Sequence, residues 1–268
     1  MLIYLISFVG YLVFVVTKKE KVGSAAFWLV FVGFLVHLAG LLLRWRESHA
    51  TGYGYLPLSN LYESLIFFSW AIVLIYLIVD WWYHLRIIGV WTSPLAALVI
   101  AATSIIPGVS SDVRPLIPAL QSNWLGIHVI SCFLGYAAFA IAFGVSLVYL
   151  LQSRRESSQR NLITWLPSSQ TLDDINYKAV VIGFPLLTIG IVTGAAWAQY
   201  AWGRYWGWDP KETWSLITWF IYAAFLHARY RRDWKGKRTA VLSIVGFTAV
   251  IFTYFGVSYL LYGLHSYM

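Results

Sequence analysis

A helix that crosses a bilayer needs about 20 mostly apolar residues. Eight such runs fill this chain, near 1–17, 24–43, 62–80, 87–105, 124–151, 179–198, 214–230 and 239–262. In lipid, backbone N–H and C=O groups must be satisfied within the chain, so runs of this kind fold as helices. The expected fold class is therefore all-α: a polytopic integral membrane protein of about eight transmembrane helices, forming a single membrane domain over 1–268. Only 11% of residues are charged, too few to cover a soluble surface. The net charge of +8 then reflects topology signals, and nucleic acid is not an expected partner. The first run has no basic residue before it, which argues against a cleaved leader and for a first membrane helix. The single cysteine, Cys132, excludes an internal disulfide and a Cys-x-x-Cys pair.

Basic residues gather on the inner side of membranes. One set of loops holds Lys18, Lys19, Lys21, Arg86, Arg154, Arg155, Arg160, Lys178 and the cluster from Arg229 to Arg238. The other holds only Arg44, Arg46, Arg114, Arg204 and Lys211. Both termini, with 44–61, 106–123 and 199–213, are thus expected outside. Ser59 or Asn60 is a candidate cap for the third helix, with Glu63 in its first turn. The segment 106–123 is expected along the membrane surface, and 152–178 as a polar inner linker.

The segment from Trp197 to Trp214 holds five Trp and two Tyr in eighteen residues. Rings at that density form a stacking surface for a flat ligand. An interfacial aromatic belt also enriches Trp and Tyr. It does not require the interleaved Gly203 and Gly207, nor the embedded Arg204, Asp209, Lys211 and Glu212.

Ionisable groups inside apolar runs are costly and functional by default. His128 begins the fifth run and His265 follows the eighth, at the membrane level that the charge pattern assigns to the Trp-rich loop. Two imidazoles across a flat aromatic surface are what a bis-histidine haem site requires. His227 lies towards the inner end of the seventh run. About 13 residues of helix at ~1.5 Å each separate it from the outer surface, so it would serve a second, inner site. Its partner ligand is either His37 or a histidine of another polypeptide. His49 and His84 read as solvated loop residues. Arg44, Arg46, Arg114 and Arg204 are candidates for haem propionates, lipid headgroups, or pairing with Glu47, Asp112 and Asp209.

The stretch Trp202-Gly203-Arg204-Tyr205-Trp206-Gly207-Trp208-Asp209-Pro210-Lys211-Glu212-Thr213 resembles the WWD motif of the haem-handling proteins of cytochrome c biogenesis. That family includes CcsA (ResC), CcmC and CcmF. The helix count, Leu56 to Ser64, Trp124 to His128 and the Leu264-His265-Ser266 ending resemble its CcsA branch. The resemblance covers essentially the whole chain. It implies that His128 and His265 ligate haem iron beside the loop and that His227 belongs to an inner haem site. It further implies that the second inner ligand comes from a membrane partner, CcsB (ResB).

The expected function is then that of a holocytochrome c synthase (haem lyase) subunit. Haem b is held as substrate and its vinyl groups are joined to the cysteines of an external apocytochrome c. Trp197, Trp202, Gly203, Arg204, Trp206, Trp208, Asp209 and Trp214 are the expected cofactor-binding residues. Asp209 and Glu212 are the candidate catalytic groups, Glu212 also being suited to stabilising the seventh helix. The membrane would be a bacterial inner (plasma) membrane or a thylakoid, with the active face periplasmic or lumenal. A haem exporter or chaperone without bond formation, and a dihaem electron-transfer subunit, remain alternatives.

Overall fold

The computed structural model describes residues 1–157, 166–261 and 263, without the side chains of 155–157. It is helical, with no strand among the described residues. The helices are α1 (Leu2–Thr17), α2 (Glu20–Ala50), α3 (Leu61–Tyr83), α4 (Gly89–Ile105), α5 (Asn123–Ser157), α6 (Ser169–Trp202), α7 (Pro210–Arg232), α8 (Lys237–Ile251) and α9 (Val257–Leu260). Six of them, α2 to α6 and the continuous α8–α9, are long and apolar enough to cross a membrane. The apolar α1 is shorter, and α7 packs against α6 and α8 in the same bundle.

The helices outrun their apolar stretches. At 1.5 Å per residue, the 35 residues of α5 and 34 of α6 reach about 50 Å, beyond a hydrocarbon core of ~30 Å. Ser169 to Lys178, expected within a linker, is instead the first part of α6. Two interactions explain this correction. The Ser168 hydroxyl accepts from the Thr171 amide and caps the helix. The buried Asp173 then accepts from Arg229 at 2.5 Å, the Gly236 amide at 2.8 Å and the Thr239 hydroxyl at 3.0 Å. That node ties the start of α6 to the end of α7 and the start of α8. The segment 106–122 holds one short 3₁₀ turn, Pro118–Leu120, and is otherwise irregular.

The core runs along α3 and α5. Tyr136 to Ala142 are buried on every face of α5, as befits a central helix. Phe139 stacks on Tyr222 of α7 with centroids 3.6 Å apart. The α5–α6 seam is made by small residues. A Cβ on Gly183 would stand 2.6 Å from Phe139, one on Gly190 2.4 Å from Cys132, and one on Gly194 2.6 Å from His128. Close approach through glycines at helical spacing is how helices pack where burial from water gives no driving force.

Candidate functional site

A cavity opens at the end of the bundle where the segments expected outside converge. It is lined by the start of α3 and the residues before it (Ser59, Asn60, Ser64), the first turns of α5, the C-terminal half of α6, the loop before α7, and the end of α8–α9. At that last wall the helix widens into a π segment, Phe252–Gly256. Such segments often mark functional sites. Here Tyr254 and Ser258 both face the cavity, and Tyr254 meets the Ser64 hydroxyl at 2.6 Å.

His128 is placed by its neighbours. The glycine seam lets its Nδ1 reach the Gly190 carbonyl at 2.6 Å. A carbonyl only accepts, so Nδ1 carries the proton and the lone pair resides on Nε2. That is the tautomer in which a neutral imidazole ligates a metal, with the second ring nitrogen fixed by a backbone carbonyl. The ring lies nearly parallel to Trp197, at 14° with centroids 6.1 Å apart. Trp197 is itself pinned by its indole N–H donating to the Ala119 carbonyl at 2.8 Å. Trp197 also meets Trp202 edge-on, with centroids 4.9 Å apart.

The Trp-rich loop is shorter than expected, because α6 continues to Trp202 and α7 starts at Pro210. Gly203 ends α6 at φ 73°, the left-handed region where a side chain costs most. Trp208 holds φ 57°, an unusual value for a bulky residue. The strain is held by a capping box. Asp209 accepts from the Lys211 amide, while Glu212 accepts from the amides of Gly207 at 2.8 Å and Asp209 at 3.1 Å. Both carboxylates thus shape the loop.

Residues 58–265 match the sequence family described as Cytochrome C assembly protein. The chain belongs to that family. It is 39% identical to the cytochrome c biogenesis protein CcsA of Guillardia theta, over 98% of this chain and 92% of that one. It is also 39% identical to CcsA of Microcystis aeruginosa, over 86% of this chain and 83% of the relative. The same identity holds for CcsA of Mesostigma viride, over 89% and 84%. Among solved structures, the chain resembles the cytochrome c haem lyase CcmF with a TM-score of 0.65 at 20% identity. That likeness covers 91% of this chain and 43% of CcmF, and it concerns the fold.

Within this cytochrome c assembly protein, the cavity brings together His128, Trp197, Trp206 and Glu212 from the expected site residues. Trp202 stands behind Trp197, and Trp208 meets Trp206 edge-on while remaining largely exposed. Gly203 and Arg204 lie in the exposed part of the loop. Asp209 is buried beneath it. Trp214 turns away, packing on Phe252 at 4.2 Å. His265 lies outside the described residues.

His227 is exposed on α7, off the buried face of Thr218, Tyr222, Phe225 and Ala228. His37 faces a different cavity, between α1, α2 and α3, where the Tyr4 hydroxyl meets it at 3.2 Å. The two histidines therefore belong to separate parts of the bundle. The arginines expected on the outer face divide. Arg44 pairs with Glu63 at 3.1 Å and Glu47 at 3.4 Å, and Arg114 pairs with Asp112 at 2.8 Å. The Arg114 hydrogen bond holds the Asp112 carboxyl below its usual value. The third helix is capped by Asn60, which accepts from Glu63, while the Glu63 carboxylate returns to Ser59. Lys211, Ser258 and Tyr254 line the cavity and were not among the expected site residues. One signal for Lys211 was present: a lysine on the face that basic residues avoid.

Proposed function

We propose that this chain is a membrane subunit of a holocytochrome c synthase. It would take haem b as its substrate, hold it in the outer cavity and present it to apocytochrome c. The observation that carries this reading is His128, with Nδ1–H committed to the Gly190 carbonyl and its ring stacked on Trp197 in an aromatic-walled cavity. A pre-set imidazole beside indole faces suits a flat iron macrocycle.

In this reading eight helices span the membrane as one domain, with the WWD loop on the periplasmic or lumenal face. His128 and His265 ligate the iron, and Trp197, Trp202, Trp206, Trp208 and Trp214 build or support the wall. Gly203 and Arg204 give the loop its course, and Asp209 and Glu212 fix its shape. The attachment adds each cysteine S–H across a vinyl C=C. Sulfur bonds one vinyl carbon and the proton reaches the other, without net oxidation. The chain's own residues supply orientation and exclude water. His227 is assigned to an inner haem site completed by a CcsB (ResB) partner, which fits its exposed position on α7.

The test is the visible absorption spectrum of the purified chain, oxidised and reduced, with and without the partner. A low-spin bis-histidine spectrum that vanishes in H128A and H265A and returns with added imidazole is expected. Covalent haem on a co-expressed cytochrome c, lost in the same variants, separates a synthase from a haem exporter or an electron-transfer subunit. No haem in any preparation overturns the assignment.

A further inference from the structure

Lys211 stands within the WWD-like stretch but was assigned no ligand, and its surroundings are specific. It stands in the first turn of α7 and lines the same cavity as His128. Its ammonium donates to the Ser258 hydroxyl at 3.0 Å, reaching α9 across 47 residues of sequence. It forms no ion pair among the described residues. The acidic neighbours accept hydrogen bonds from backbone amides, and Asp209 attracts the ammonium without forming an ion pair with it. Asp209 accepts from the Lys211 backbone amide, and Glu212 from two loop amides. A part-buried cation beside a cavity, bonded only to a neutral hydroxyl, is costly unless an anion joins it. Ser258 keeps its position because its own proton goes to the Tyr254 carbonyl at 3.0 Å. Its oxygen therefore accepts from Lys211 and fixes the direction of the ammonium.

We propose that Lys211, aimed by Ser258, is the carboxylate-binding group of the outer cavity and receives a propionate of the haem. This rests on the reading that the cavity holds haem. The external arginines are poorer candidates: Arg44 and Arg114 already carry carboxylates, and Arg46 and Arg204 are exposed. An ammonium–carboxylate hydrogen bond in a desolvated site is among the stronger ones available.

The experiment uses the full chain in detergent. It titrates haem and, separately, haem dimethyl ester, in which both carboxylates are capped, and follows binding by absorption. The native chain is expected to prefer haem over its ester by about tenfold or more, the scale of one charge-assisted hydrogen bond. In K211M that preference should fall to near unity while ester affinity stays unchanged. S258A should lose part of the preference. A K211M variant that still prefers haem to the same extent overturns the role of Lys211, as does a native chain that binds both equally. If K211M binds neither form, K211R decides: a kept preference supports the proposal and a lost one overturns it. A native chain that binds neither form overturns the haem reading itself, and the role of Lys211 with it.

Discussion

His128 and His227 lie towards opposite ends of one bundle and are treated in opposite ways. His128 is held by a glycine seam, a carbonyl and an indole face, all from this chain. His227 stands exposed on α7, with buried residues only on the opposite side of the helix. The backbone around His227 is nonetheless firmly fixed. Arg229, two positions on, is bound to the Asp173 node and lies over Tyr177. A rigid helix presenting an imidazole outward suits a contact surface for a second polypeptide. An imidazole already oriented within a cavity suits a ligand that the chain holds alone.

The largest expected effect comes from the inner node. D173A leaves Arg229 partly buried without its carboxylate, and removing one partner of such a pair costs about 3 kcal/mol or more. Thermal unfolding in detergent should shift down clearly, while the outer-site spectrum of the surviving folded protein stays native. A spectrum lost in step with stability would show that the two ends are not independent.

Next comes G194A. Its new methyl would meet the His128 ring, so the bond to Gly190 should break and haem affinity at the outer cavity should fall about tenfold. An unchanged affinity would mean that His128 is not pre-set by the seam. E212Q weakens the acceptor for two loop amides and should loosen 203–212 by about 1 kcal/mol. Hydrogen exchange of the Gly207 and Asp209 amides reads this directly, and unaltered protection would remove the capping explanation. The smallest effect belongs to H227A. In the isolated chain the outer spectrum should not change, and only cytochrome maturation with the partner present should drop. A changed outer spectrum would abolish the distinction between the two histidines.

The helices were legible because apolar runs of membrane length have few alternatives. Their ends were less so. Ser169 to Lys178 reads as polar linker, and its helicity depends on Asp173 meeting residues of α7 and α8 more than fifty positions away. At the site, His128 was legible as an ionisable group at the edge of an apolar run. The glycine contacts that fix its tautomer were not, since Gly190 and Gly194 look like ordinary small residues of a membrane helix. Glu212 was legible in both of its possible roles, and the capping geometry shows the structural one. Lys211 was legible as a charge embedded in the Trp-rich loop, but its partner Ser258, 47 residues further on, was not.

The π segment at Phe252–Gly256 carries one surplus residue within its turn, closed by the Val257 amide bonding back to the Phe252 carbonyl. Deleting a single residue there would let an ordinary α-turn form and leave the residues beyond it in nearly the same register, because the wide turn absorbs its surplus locally. Ser258 would then still face Lys211, while the wall that Tyr254 gives the cavity would be rebuilt. The surplus residue thus shapes the cavity wall at Tyr254 and not the course of the helix that follows it.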